Sequence, residues 1–234
     1  MVLWDGRIYV YGGYDGKKRF GDLYKCCIKN KKYKWKEIQA EGAMPLNRFG
    51  HSAVVYQNSM FIFGGWNGHD TMNDIFQYSF LSNYWYEIHR PGGTPPQPRY
   101  RHSTVICGSN LYIFGGVDTN QQRFNDVHQF DIEQRRFSKV ETSGEMPQPR
   151  TFHRAIIYRN VMYIIGGFDG QRLNDMHHVA LLFGSDEKSG RFRASGRNMS
   201  SSASATQSHS EVVSAHSSAD SEAKDDPNVS QKGL

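Results

Sequence analysis

The chain has 234 residues and a formal net charge of +5, with 38% hydrophobic and 13% aromatic residues. A hydrophobic share that low beside so many aromatics points to an ordered, aromatic-rich part joined to a polar part. No apolar run approaches the ~18 residues a membrane-spanning helix needs, and Cys26, Cys27 and Cys107 have neither CxxC nor Cys/His zinc spacing, so neither a membrane span nor a metal site is expected. The low, odd cysteine count points to a reducing compartment, cytoplasmic first and nuclear second.

The chain opens in mid-strand at Val2-Leu3-Trp4. It then runs through Ile8-Tyr9-Val10-Tyr11 into the diglycine Gly12-Gly13. Next comes Asp22 at the head of a further apolar strand, then Lys25, Lys29, Lys31, Lys32, Lys34 and Lys36 around Trp35. The lysines read as a solvated strand edge guarded against edge pairing. A nucleic-acid or anionic-lipid patch is the sharper alternative, with no accompanying motif.

The second unit begins at Arg48 and His51 after a Pro45 turn, and predicts strands over His51–Tyr56, Met60–Gly65, Asp74–Phe80 and Tyr84–His89. Short turns join the first two strands of a unit, with longer loops from the second to the third and from the fourth to the next unit. The same order recurs at a spacing of 51 residues: Arg99 and His102, then Gly115-Gly116, Asp126 and Phe137; and Arg150 and His153, then Gly166-Gly167 and Asp175. Glycine after the second strand allows close backbone approach. The Asp before the third strand is expected to bond local backbone N–H groups, and the Trp or Phe of the fourth to pack between units. Four-stranded units repeated at this period must stack on their neighbours to bury both faces, and radial stacking gives a propeller.

In this order the residues resemble the kelch repeat: a diglycine, a Tyr-Asp-Gly type loop (Tyr14-Asp15-Gly16, Trp66-Asn67-Gly68, Phe168-Asp169-Gly170), an acidic turn and a Trp. The third unit departs, with Val117-Asp118-Thr119. The expectation is an all-β, kelch-type β-propeller over residues 1–183, of about four blades, two complete and two partial, with no fourth strand near Glu187. A Ser-rich disordered tail over 184–234 follows, since 14 serines and one aromatic cannot offset the entropy of ordering. Ser200-Ser201-Ser202, beside Arg191, Arg193 and Arg197, has the composition of a kinase site. An incomplete ring leaves open blade edges, through which the chain is expected to self-associate or to need further blades from a longer chain.

Residues recurring in every blade serve the fold first, so Arg48, Arg99, Arg150 and the three repeat histidines are read as structural. By the resemblance, partners dock on the loop face at the channel mouth, where residues vary between blades. Carried over, the positions are Tyr14, Trp66, Arg101, Phe152 and Phe168, extended by Asn67, His69, Arg123 and Arg172. Aromatics and Arg are the types that anchor interfaces. The chain is therefore expected to be a protein-interaction module without cofactor, metal or nucleic acid. It resembles leucine-zipper-like BTB-kelch adaptors, which implies substrate recognition for a cullin ubiquitin ligase, and Rab-effector kelch proteins, which implies trafficking or cytoskeletal partners. A kelch-like oxidase or sugar isomerase is the enzymatic alternative, but no nucleophile elbow, phosphate loop, HExxH or Cys–Tyr–His constellation accompanies it.

Overall fold

The computed structural model describes residues 1–29 and 33–181 and the backbone of 192–197, all within one compact unit, Met1–Met199. Every regular element among them is a strand. Strands β1 (Val2–Trp4), β2 (Arg7–Tyr14), β3 (Arg19–Cys27) and β4 (Trp35–Ile38) form the first blade as an antiparallel meander. A linker strand β5 (Glu41–Gly42) leads to the second blade: β6 (Ser52–Tyr56), β7 (Ser59–Trp66), β8 (Thr71–Ser79) and β9 (Tyr84–Glu87). The third repeats this plan with β10 (Gly92–Gly93), β11 (Ser103–Cys107), β12 (Asn110–Phe114), β13 (Val127–Asp131) and β14 (Arg136–Lys139). The fourth comprises β15 (Thr142–Gly144), β16 (Arg154–Tyr158), β17 (Val161–Phe168), β18 (Arg172–Ala180) and β19 (Phe192–Arg197). Innermost strands β1, β6, β11 and β16 neighbour one another in that order. The result is a four-blade propeller arrangement.

Three features differ from the expectation. The fourth blade has its fourth strand: β19 pairs antiparallel with β18 from Val179↔Ala194 to Met176↔Arg197, and parallel with β15. A longer connection places it beyond Glu187, inside the segment expected to be disordered. The rest of that segment, including Ser200–Ser202, lies outside the described residues. Second, β2–β3, β7–β8 and β17–β18 are tight hairpins rather than long-looped pairs, because the strands continue past the diglycine through a bulge (Trp66↔Thr71 after Phe63↔Ile75). Only the third blade opens into a loop, as its departing sequence suggested. Third, β5, β10 and β15 pair parallel with β9, β14 and β19, so each linker is fastened to the outer strand of the blade that follows.

The core lies between blades. Tyr9 and Tyr11 of β2 pack on Met60, Ile62 and Trp85 of the second blade. Phe61 and Phe63 meet Ile113, Phe130 and Phe137 of the third, and Val105 and Phe114 meet Met162, Ile164 and Val179 of the fourth. Among the described residues the end faces have no such cover. Ile156, Tyr158 and Ile165 are 53%, 57% and 42% exposed, against 6%, 6% and 0% for Val105, Cys107 and Phe114 at the same places in the third blade. Trp35 is 53% exposed where Trp85 is fully buried. The outward faces of the first and fourth blades are therefore uncovered among the described residues.

The diglycine ties blade to blade. Gly13, Gly65 and Gly116 donate their N–H groups to the carbonyls of Arg48, Arg99 and Arg150 in the following blade, each at 2.9 Å. A Cβ on Gly12, Gly64 or Gly115 would sit within 2.9 Å of those same carbonyls, and φ there is +59° to +65°. Only glycine meets both demands.

Candidate interaction site at the propeller mouth

Each repeat Arg is buried inside its blade. The Arg99 guanidinium donates to both carboxylate oxygens of Asp126 (2.6 and 2.9 Å), to the Gly115 carbonyl (3.0 Å) and, through Nε, to the Gln97 carbonyl (3.0 Å). Arg48 makes the same set with Asp74, Gly64 and Leu46, and Arg150 with Asp175, Gly166 and Gln148. This corrects the role assigned to the Asp before the third strand: it receives the guanidinium fork, a planar bidentate match. Local N–H groups are capped instead by Asp15, Asn67, Asp118 and Asp169 of the loops. Burial alone would raise Asp126, but bonds from His128 and Arg99 outweigh it and hold the carboxyl well below the usual range. The Arg150 bond holds Asp175 at about 2.

Each repeat His fastens one blade to the one before. His102 Nε2 lies 2.8 Å from Ser52 Oγ, and His153 Nε2 2.7 Å from Ser103 Oγ. Their rings stand edge-on to Phe63 and Phe114 of the preceding blade, as His51 does to Tyr11. Burial lowers His51 to about 3, His153 to about 4 and His102 well below its ordinary value, so all three are neutral at pH 7. Among the described residues no group of three or more His, Cys, Asp or Glu is placed to hold a metal ion.

Between Arg and His in this motif sits a residue that differs in every blade: Gly50, Arg101 and Phe152. All three adopt the left-handed conformation, with φ of +69°, +57° and +57°. They link in a chain around the mouth: Arg101 N–H donates to the Gly50 carbonyl (2.7 Å) and Phe152 N–H to the Arg101 carbonyl (3.2 Å). Glycine adopts this backbone freely. Arg and Phe pay roughly 1–2 kcal/mol for it. These residues border a cavity of about 430 Å³ with Tyr14, Phe49, His51, His102 and Arg154.

The sequence profile of the KLHDC2/KLHL20/DRC7 Kelch-repeats domain matches residues 1–213. The chain belongs to the kelch-repeat family. Among curated relatives it is 29% identical over 174 residues to the Drosophila melanogaster leucine-zipper-like transcriptional regulator 1 homolog, covering 71% of this chain and 18% of that protein. It is 29% identical to Mus musculus Kelch domain-containing protein 1, covering 72% and 48%, and 34% identical to Homo sapiens Host cell factor 2, covering 69% and 23%. This kelch chain thus spans half or less of the length of each.

The kelch blades bring together part of the set proposed from sequence. Tyr14, Arg101 and Phe152 border the cavity, and Tyr14 and Phe152 are 46% and 55% exposed. Trp66 lies alongside, packed on Phe49 and Tyr100. Arg123 stacks 5.3 Å from the Phe168 ring as a separate pair. Asn67 Oδ1 is occupied by the N–H groups of His69 and Asp70 in its own turn, and His69 and Arg172 are exposed apart from the cavity lining. Sequence reasoning missed Phe49 and Arg19. The Arg19 guanidinium lies over Trp66 (4.6 Å), Tyr14 (5.2 Å) and Phe49 (5.9 Å). Phe49 directly follows the repeat Arg, so it could have been found by the reading that singled out Gly50.

Proposed function

We propose that this chain is a non-catalytic interaction module that docks a protein partner over the propeller mouth, with Tyr14, Trp66, Arg101 and Phe152 as anchors. Asn67, His69, Arg123, Phe168 and Arg172 form its periphery. The observation that carries this reading is the left-handed row. Two of three equivalent positions hold strained side chains where glycine would serve the fold better, and strain of that kind gathers at functional sites. The kelch relatives support an interaction role, and the repeat histidines are neutral at pH 7 and packed against rings of the preceding blade. The decisive experiment combines Arg101→Gly with Phe152→Gly and measures partner capture beside thermal stability. Lost capture with an unchanged or higher melting temperature is the expected result, and retained capture would sink the reading.

The finer assignment is substrate recognition for a cullin ligase, which follows from the likeness of the repeats to leucine-zipper-like adaptors. Recovery of a cullin with the full-length protein tests it, while fractionation with vesicles or actin would favour the trafficking or cytoskeletal reading. The uncovered end faces support a second mode of binding, self-association of the chain through Trp35 on one face and Ile156 and Tyr158 on the other. Light scattering that finds only monomer at micromolar concentration would dispose of it.

A further inference from the structure

Resting on the mouth as the docking surface, we infer that its partner is an acidic peptide segment gripped between Arg19 and Arg101. Both guanidinium groups lie 5.9 Å from the Phe49 ring, so the pair is at most about 12 Å apart. Arg101 is fixed by Phe152 (4.2 Å) and Tyr100 (4.9 Å), and Arg19 by Trp66 and Tyr14. Seating a guanidinium group against aromatic rings positions it without using its N–H groups, which is the preorganisation a carboxylate ligand exploits.

Neither arginine is in a salt bridge among the described residues, unlike Arg48, Arg99 and Arg150. Arg19 Nε and Trp66 Nε1 are buried donors with no hydrogen-bond partner. Buried donors left unmade cost free energy, so an acceptor at this place gains what the free protein forgoes. The cavity that Arg101 borders adds Arg154 and has no acidic side chain in its lining, while Arg19 lies outside that lining and borders a neighbouring cavity of about 330 Å³ with Lys18, Asp22 and Glu37.

A peptide suits this surface better than a nucleic acid. Asp15, Asp70, Asp118 and Asp169 stand in the second-to-third strand loops of the four blades. A continuous phosphate backbone would meet that repulsion at every blade, whereas two discrete carboxylates pass between. Acidic residues two or three apart on an extended chain, at ~3.4 Å per residue, span the distance between the guanidinium groups.

The test is fluorescence anisotropy on the full chain with labelled nonapeptide pools. One pool carries Glu at the fourth and sixth positions, the other Gln there, and all remaining positions are random and uncharged. The Glu pool should bind at least tenfold tighter, and the preference should shrink with salt. R19Q and R101Q should each weaken it by about tenfold at an unchanged melting temperature. Equal binding of the two pools by the wild-type chain overturns the inference without need of any variant, and so does tighter binding of a dT20 oligonucleotide than of the Glu pool. Partner capture lost in Phe152→Gly but kept in R19Q overturns the acidic grip while the mouth remains the docking surface.

Discussion

Arg99 and Arg101 are two residues apart and behave as opposites. The first is buried, makes four hydrogen bonds through its guanidinium group and recurs in register as Arg48 and Arg150. The second lies at the mouth, bonds no side chain among the described residues, and stands where the neighbouring blades place Gly50 and Phe152. Repetition marks the residues that hold a blade together, and departure from repetition marks the surface it presents. The backbone at the variable position does not change, so the side chain there answers to something other than the fold.

Experiments can break that contrast from either side. The largest effect should come from acid. His51, His102 and His153 have folded pKa values below the unfolded value of 6.5, so below pH 6.5 the unfolded chain takes up more protons. Stability is full above that pH and falls as pH drops toward about 4, by about 1.4 kcal/mol per unit for each histidine. Urea titrations at several pH values should show the decline, and His153→Asn should flatten it. Truncating one repeat arginine comes next. Arg99→Met leaves the Asp126 carboxylate without its guanidinium, and loss of roughly 3–5 kcal/mol is expected in denaturant melts.

The equivalent tryptophans separate inner and outer blade faces. Trp85→Ala should cost about 3–5 kcal/mol, whereas Trp35→Ala on the uncovered face should cost within about 0.5 kcal/mol. Equal losses would mean that the first face is covered in solution. The smallest stability change belongs to Arg101→Gly and Phe152→Gly. Relief of backbone strain opposes the added freedom of the unfolded chain, so each should stay within about 1 kcal/mol of the parent while removing a contact from the mouth.

Much of the fold was legible because it is written four times. A diglycine, an aromatic strand and an acidic turn recurring together leave little choice but stacked four-stranded blades, and blade order follows chain order. The fourth strand of the last blade falls off the repeat's spacing, since a lengthened connection defeats spacing while leaving backbone pairing intact. A further periodic signal, Gly42, Gly93 and Gly144, was present and went unread; it marks the linkers fastened to β9, β14 and β19. The candidate site was half legible. Variation between blades identified Arg101, Phe152 and Tyr14, but not Arg19, although it pairs with Tyr14 as Arg123 and Arg172 pair with Val117 and Phe168.

The sequence by itself determined the blade, its period, the division between repeated and variable positions, and the break in the third unit. Those are properties of local pattern, and each recurrence reinforces the others. Tertiary structure decided which partners the repeated residues take: Asp126 faces a guanidinium 27 residues before it, and His102 reaches back to Ser52 in the previous blade. It alone set Arg19, Phe49 and Arg101 side by side. Contacts between blades depend on the angle at which sheets stack, and a repeat read along one chain carries no record of that angle.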